Sequence, residues 1–150
     1  MNAIAAAGAG FLVAVLWFDL MFDVQTRGHG GETLPADVLA SISAYYRRVT
    51  TDARPMNQLV AAMMLVTLAA IVAEIVRGQH PIWIGWLSLA LTASAVGLAM
   101  ARTVKNAVGL GRATDPLDAQ SRLARTIYRD HVFCIAAMTG VLAQQLAAQF

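Results

Sequence analysis

The chain has 150 residues, of which 58% are hydrophobic and 13% are charged, and its mean hydropathy is +0.59. Soluble globular domains are about half apolar and about one quarter charged, so the composition excludes an ordinary soluble domain and indicates one integral membrane domain covering residues 1–150. The single cysteine, Cys134, excludes an internal disulfide.

Four apolar segments are long enough to cross a bilayer as helices, which takes about 20 mostly apolar residues. They cover residues 2–24, 56–77, 81–104 and 128–148. The first segment could imitate a signal peptide. It has no Lys or Arg before the apolar run, however, and that run ends in Asp19 rather than at a small-residue cleavage site. We therefore expect a retained membrane span.

Proline and glycine set the ends of the second segment. Pro55 suits the first turn of a helix, and Gly78 suits the position just after a helix end. Only residues 78–80 separate this segment from the third, with the turn itself at residues 79–80, so the two helices are expected to form an antiparallel hairpin. Trp83 and Trp86 mark the start of the third segment as a membrane interface.

The two long connections also carry helical patterns. Residues 35–50 place apolar side chains at helical spacing and carry two arginines, Arg47 and Arg48, near their end, which predicts an amphipathic interfacial helix. A second helix is expected to begin after Asp115 and to run without a break into the fourth span. The predicted fold class is therefore all-α: an integral membrane antiparallel four-helix bundle with an amphipathic interfacial helix between spans one and two.

The basic residues are distributed asymmetrically. Of the 11 Lys and Arg, only Arg77 falls on the side of the short turn. The positive-inside rule makes the long loops cytoplasmic and both termini outside, in a bacterial-type inner (plasma) membrane. The net charge of +2 then belongs to a basic rim facing lipid headgroups. Membrane lipids are expected partners, and nucleic acid is not.

The most unusual stretch is LWFDLMFDVQ, residues 16–25, which places two aspartates within an apolar run. Asp19 and Asp23 are spaced i, i+4 and therefore share one helix face. An ionisable group inside a membrane span costs free energy unless it faces the protein interior and has a partner there. Four helix ends carry polar residues to the same depth. The predicted acid–base residues are Asp19, Asp23 and His131, and the predicted binding residues are Asn57, Arg54, Arg102, Asn106 and Tyr128.

An alternative interpretation of this cluster is structural. Asp19 and Asp23 could pair with Arg102 and Arg54 and lock the helices in register, since polar contacts often hold membrane helices together. A metal site and a cofactor are not expected. His131 supplies a ligand one turn before Cys134, but zinc and copper sites need three or four ligands. At the opposite end of the bundle, Glu74 and Arg77 are spaced i, i+3 and are expected to pair.

The stretches LWFDLMFDVQ, ADVLASISAYYRRV, ARTVKNAVGLG and LARTIYRDHVF follow one another in this chain. Their order resembles the anthrone-oxygenase-like family of small four-span membrane proteins. The resemblance covers nearly the whole chain as a layout. It implies oxygenation of an activated phenolic substrate without a tightly bound cofactor, with a carboxylate or His as the base. Asn106 is the one position carried over from the family.

Together these observations predict a polytopic membrane protein with a polar pocket at the cytoplasmic interface. The pocket is expected to bind a small lipophilic or aromatic molecule, and a membrane oxygenase or oxidoreductase is the enzymatic form of this hypothesis. Two alternatives belong to other classes: a proton-coupled small transporter or channel that acts as a homo-oligomer, and an accessory subunit of a larger membrane complex.

Overall fold

The computed structural model describes residues 2–78 and 81–148; the predicted hairpin turn at residues 79–80 lies outside this part. The helices are α1 (Asn2–Asp23), α2 (Ala36–Arg47), α3 (Arg54–Val76), α4 (Ile82–Leu98), α5 (Val104–Arg112) and α6 (Leu117–Ala147). No strand occurs in the described ranges. The all-α prediction is therefore confirmed.

Local sequence signals set several helix ends. Pro55 lies in the first turn of α3, where its missing N–H costs nothing. Gly78 follows the end of α3 with a φ of +62°, a left-handed conformation that glycine adopts without strain. The 31 residues of α6 form one unbroken helix, as predicted, with a length of about 46 Å at 1.5 Å per residue.

Three helical stretches are long and apolar enough to cross a membrane: Asn2–Thr26, Pro55–Val76 and Ile82–Arg112. The third extends beyond α4 because a π-helical turn joins α4 to α5 without a break. Helix α6 is not among the three, since polar residues such as Asp130 and Gln145 interrupt its apolar stretch.

The four long helices pack in a ring. Helix α1 contacts α3 and α6, and α4 contacts the same two helices. Side-chain pairs show that α4 and α6 run antiparallel: Ser88 meets Gln144 at one end, and Thr103 meets Asp130 at the other. Small residues dominate the ring's core, among them Ala5, Ala9, Ala70, Ala95 and Ala137. Such residues let membrane helices approach closely.

A second, smaller core lies at one end of the ring. Here α2 and α5 pack against each other and against the first turns of α6. The core side chains are Leu39, Ile42, Tyr46, Leu110 and Ile127, each at most 2% exposed. The apolar face of α2 is thus covered by protein, and α2 places its last turn directly beside the end of α1.

Candidate functional site

A cavity of about 360 Å³ lies where α2 meets the ring. Small-molecule pockets typically measure about 300–1,000 Å³, so the space suits a compact ligand. Most of its wall is aliphatic, aromatic or thioether side chain, including Leu12, Val15, Leu16, Phe18, Phe22, Val60, Met64, Val96 and Met138. Its polar residues are Asp19, Tyr45, Tyr46, Thr50, Asn57, Thr103 and His131. The cavity is therefore an apolar chamber with a few polar groups.

A buried triad connects Tyr46 and His131 of the cavity wall to Asp23, which lies behind the wall. Asp23 is fully buried and receives two hydrogen bonds on its carboxyl group. Tyr46 donates its hydroxyl to Oδ1 at 2.6 Å, and Nδ1 of His131 lies 2.6 Å from Oδ2. With a proton on Nδ1, Asp23 fixes the orientation of the imidazole ring and leaves Nε2 free for other chemistry.

The second aspartate lies nearer to the cavity. Oδ1 of Asp19 accepts a hydrogen bond from the Tyr45 hydroxyl at 2.6 Å. Its Oδ2 lies 3.8 Å from Nε2 of His131, which is too long for a hydrogen bond. Neither of these two atoms has a hydrogen-bond partner elsewhere in the described part of the chain. The Asp19 side chain is 15% exposed, and both residues line the cavity.

The hydroxyl pKa values of the two tyrosines that donate to the aspartates are shifted as well. Burial, followed by the negative charge of Asp19, raises the pKa of the Tyr45 hydroxyl well above its usual range. Burial, followed by the charge of Asp23, raises the pKa of Tyr46 in the same direction. Both hydroxyls therefore stay protonated and remain donors at physiological pH. Tyr45 is also fixed by stacking on Phe22, with ring centroids 4.0 Å apart.

Two π-helical turns adjoin the cavity. One covers Arg48–Asp52 after α2, and the other covers Ala99–Thr103 between α4 and α5. The first contributes Val49 and Thr50 to the wall, and the second contributes both of its end residues, Ala99 and Thr103. Single π-helical turns occur often at functional sites because they break the regular helix to re-aim side chains. Their position here marks the cavity as the candidate site.

The structure brings the three predicted acid–base residues together, but it separates most of the predicted binding residues from them. Asn57 lines the cavity, is exposed, and donates to the Thr50 carbonyl at 3.2 Å. Asn106 and Tyr128 are half-buried and lie outside the wall. The side chain of Arg54 is not among those that the structure describes.

The ion-pair partner of Arg102 is not the one that the alternative interpretation gave it. Its guanidinium forms a two-pronged ion pair with Asp130, whose Oδ2 lies 3.1 Å from Nε. Thr103 donates to the same carboxylate at 2.9 Å. The alternative interpretation, in which Arg102 pairs with the aspartates of α1, is thus wrong for Arg102, because α6 presents Asp130 to this guanidinium.

The residues predicted for the site did not include Tyr45 and Tyr46. One signal was available. A buried tyrosine usually needs a partner for its hydroxyl, and Asp19 and Asp23 were two buried carboxylates in need of donors.

No cluster of three or more His, Cys, Asp or Glu placed to hold a metal ion occurs within residues 2–78 and 81–148.

Comparison of the chain with protein-family models, with curated proteins and with solved structures finds no match.

Proposed function

We propose that this chain is an integral membrane protein whose four long helices cross the bilayer as an antiparallel bundle, with α2 at the cytoplasmic interface. Three apolar helical stretches of sufficient length support this. The outer surface of the ring also exposes large apolar side chains, such as Leu65, Val76 and Ile82, at 67%, 80% and 73%. Helix α6 completes the ring between α1 and α4, and we propose it as the fourth crossing.

The proposed topology, with long loops cytoplasmic and termini outside, is open to a labelling test. Cys134 is buried, so Cys134→Ser gives a background without a reactive thiol. Ala3→Cys and Gly30→Cys then each add one exposed thiol. A membrane-impermeant maleimide should label the first in intact cells and the second only after lysis. The opposite pattern would invert the orientation, and labelling of both in intact cells would refute the bundle's arrangement.

One observation supports a ligand-binding function for the site. On the wall of an otherwise apolar cavity, Nε2 of His131 and Oδ2 of Asp19 lie 3.8 Å apart, and neither has a hydrogen-bond partner in the described part of the chain. A ligand that fits is a small lipophilic molecule with one hydrogen-bond-donating group. Its apolar body would fill the chamber, and its polar end would lie between these two atoms.

The chemistry of the polar end favours a phenol. A phenolic hydroxyl has a pKa of about 10, within reach of an imidazole base, whereas an aliphatic alcohol is far less acidic. In the proposed step the ligand O–H bond breaks, an N–H bond forms at Nε2 of His131, and a phenolate remains. Asp23 stabilises the resulting imidazolium through Nδ1, as buried carboxylates do in other carboxylate–histidine pairs.

A spectroscopic titration with 2-naphthol tests this proposal, because naphthol absorption changes on deprotonation. Saturable binding is expected for the parent chain, with the neutral naphthol hydroxyl donating to Asp19 and the naphtholate formed by proton transfer to His131 as the minor species. Asp19→Asn should weaken binding roughly ten-fold or more, since a hydrogen bond to a charged group contributes about 1.5–3 kcal/mol. Asp118→Asn is the matched control, because Asp118 forms an exposed pair with Arg122.

A control ligand and an independent binding measurement accompany the titration. 2-Methoxynaphthalene has the same body and no O–H donor, so it should bind more weakly than 2-naphthol. Native mass spectrometry from mild detergent should show a copurifying mass that is lost in Asp19→Asn. Equal binding of the two naphthalenes, or an unchanged affinity in Asp19→Asn, would refute a role for this carboxylate in recognition.

Oxygenation of an activated phenol, which the family resemblance implies, would use the same proton abstraction. The chain's residues would supply the base and the chamber, and dioxygen would be the oxidant. An anthrone carries the phenolic O–H in its enol tautomer, and its oxygenation to the quinone takes one oxygen atom of dioxygen and releases the other as water. Oxygen uptake with an anthrone, measured for the parent chain and for His131→Gln, tests this reaction separately from binding. Uptake that His131→Gln leaves unchanged would exclude the proposed base.

A further inference from the structure

The cavity meets the protein surface beside the first turns of α3. Most of its wall residues are buried or half-buried, but four are exposed: Phe18 on α1, Met56 and Asn57 on α3, and Val104 on α5. The exposed fractions of Phe18 and Met56 are 61% and 50%. A residue that lines a cavity and also faces the surrounding medium marks the place where the cavity opens.

The packing of α1 against α3 explains why an opening forms there. The two helices are in close contact at Gly8, because a Cβ added to this glycine would lie 2.2 Å from Oγ1 of Thr67. Residues 7 or 11 positions apart point within about 20° of each other around a helix axis. Val15 comes 7 residues after Gly8, and Met56 comes 11 residues before Thr67, so these two residues continue the faces that meet. Both line the cavity instead of closing the seam, and α1 and α3 are therefore separated at this end.

The surface around the opening is apolar. The outer faces of α1 and α3 present large exposed side chains next to it: Trp17, Met21 and Leu59, at 62%, 57% and 46%. Asn57 is the polar member of the edge, and its amide donates to the Thr50 carbonyl at 3.2 Å. Acyl chains solvate such a surface better than water does. In the proposed bilayer arrangement the opening therefore faces lipid.

Protein covers the cavity on the side of the long loops. Tyr45 and Tyr46 of α2 form part of the wall. Behind them, the smaller core packs α2 against α5 and α6. This cover separates the cavity from the cytoplasmic side of the proposed arrangement.

The ring is also closed by packing at its other end. Ile71 and Val141, which come after the wall residues along α3 and α6, are fully buried. Beyond them, Gln145 donates from Nε2 to Oε2 of Glu74 at 3.0 Å across the ring. The ion pair that the sequence predicted between Glu74 and Arg77 is not formed among the described residues. The seam between α1 and α3 is thus the route that the packing leaves for a ligand.

The size of the cavity limits how much of a ligand it can enclose. Its volume of about 360 Å³ is near the lower end of the range of about 300–1,000 Å³ for small-molecule pockets. One or two aromatic rings fill such a space. A longer ligand has to extend through the opening, and an apolar extension is the kind that matches Phe18 and Met56 at its edge.

We propose that the ligand enters from the bilayer between α1 and α3 and is a phenol with an aliphatic tail. The ring and hydroxyl occupy the cavity, and the tail passes Phe18 and Met56 into the acyl chains. This inference rests on the proposed function and adds the chemical class of the ligand to it. Since the tail lies among acyl chains both before and after binding, it should change the affinity little when concentrations are expressed per lipid.

Cysteine alkylation in lipid nanodiscs locates the tail. Met56→Cys puts a thiol at the edge of the opening. Gln58→Cys is the matched control, because Gln58 is exposed at the same depth of α3 and is not a wall residue. The parent chain, whose Cys134 is buried, gives the background. Mass spectrometry follows the reaction with N-benzylmaleimide in the presence of 2-naphthol, 6-hexyl-2-naphthol or 6-hexyl-2-methoxynaphthalene.

The tailed naphthol should displace 2-naphthol and protect Met56→Cys. At a concentration about ten times its Kd, the alkylation rate should fall about ten-fold, because only the free protein reacts. 2-Naphthol at the same occupancy should slow the reaction less, since it ends inside the cavity. The methoxy compound, which has no O–H donor, should protect neither variant, and Gln58→Cys should react at one rate throughout.

The outcomes separate this inference from the proposed function. If 2-naphthol binds in an Asp19-dependent way but 6-hexyl-2-naphthol neither displaces it nor protects Met56→Cys, the proposed function stands and the inference is overturned. Protection of Val104→Cys in place of Met56→Cys would put the opening on the other side of α3 and overturn it as well. Binding of 2-naphthol that does not depend on Asp19 would overturn the proposed function, and this inference with it.

Discussion

Removing the Tyr46 hydroxyl should destabilise the fold by a calculable amount. In Tyr46→Phe the ring keeps its place in the smaller core, but Oδ1 of Asp23 loses the donor at 2.6 Å. Asp23 is fully buried, so water cannot replace that donor. Hydrogen bonds to charged groups contribute about 1.5–3 kcal/mol, which corresponds to a roughly ten- to hundred-fold rise in the unfolding constant.

The matched control is Tyr45→Phe. Its hydroxyl also donates to a carboxylate at 2.6 Å, and its ring stacks on Phe22 in the same way without the hydroxyl. Asp19, however, is 15% exposed, so water can take the vacated position and the loss should stay below about 1 kcal/mol. Equilibrium unfolding of both variants in mixed micelles measures the difference. An equal loss in the two variants, or no loss in Tyr46→Phe, would show that burial of Asp23 does not set the strength of this contact.

Three further predictions follow from the backbone and from the tyrosines. Gly111→Ala would place Cβ 2.8 Å from a backbone nitrogen of α2, so overpacking should lower the free energy of unfolding by about 1–3 kcal/mol; Gly109→Ala, whose Cβ would meet a leucine methyl at 3.7 Å, is the control that should cost far less. Ala113 follows α5 with a φ of +51°, so Ala113→Gly should raise the free energy of unfolding by up to about 1 kcal/mol, measured in the same assay. The raised pKa values of Tyr45 and Tyr46 mean that folding favours their neutral forms. The stability they contribute is fully present below the ordinary tyrosine pKa of about 10 and is lost as pH rises through the folded-state values. Ultraviolet titration should show both tyrosines ionising together with alkaline unfolding, and ionisation near pH 10 in the folded protein would contradict the burial argument.

The positions of the helices could be predicted from local signals in the sequence. Long apolar runs, Pro55 in the first turn of α3 and Gly78 after its end were sufficient to place that helix. The spacing of Asp19 and Asp23 was sufficient to put both on one face, and His131 was near enough along α6 to meet them. These features depend on periodicity and on the depth of a residue along its helix, and both can be read from sequence.

The choice of partners could not be predicted because it depends on helix rotation and on close approaches. Arg102 had several carboxylates at the same depth, and only the rotation of α6 decides that Asp130 is the one it meets. Likewise, α2 docks where Gly111 allows its backbone to come near, and that docking delivers Tyr46 to Asp23. The rotation of α6 and the close approach at Gly111 do not affect the hydropathy pattern or the residue spacing, so neither could be predicted from the sequence.

The two aspartates of α1 differ in exposure, and this difference divides their roles. Asp23 is fully buried with both oxygens bonded, so Asp23→Asn would turn an amide donor toward His131 or Tyr46 and should cost about 1.5–3 kcal/mol of stability. Asp19→Asn keeps the acceptor for Tyr45 and changes only the atom that faces the cavity. It should therefore leave stability within about 0.5 kcal/mol of the parent chain, as most substitutions without a lost buried contact do, and still lose the naphthol affinity. Thermal unfolding and ligand titration on the same samples separate the two effects. If Asp19→Asn destabilises the fold as much as Asp23→Asn, both carboxylates hold the helices together and the cavity has no ligand-facing acid.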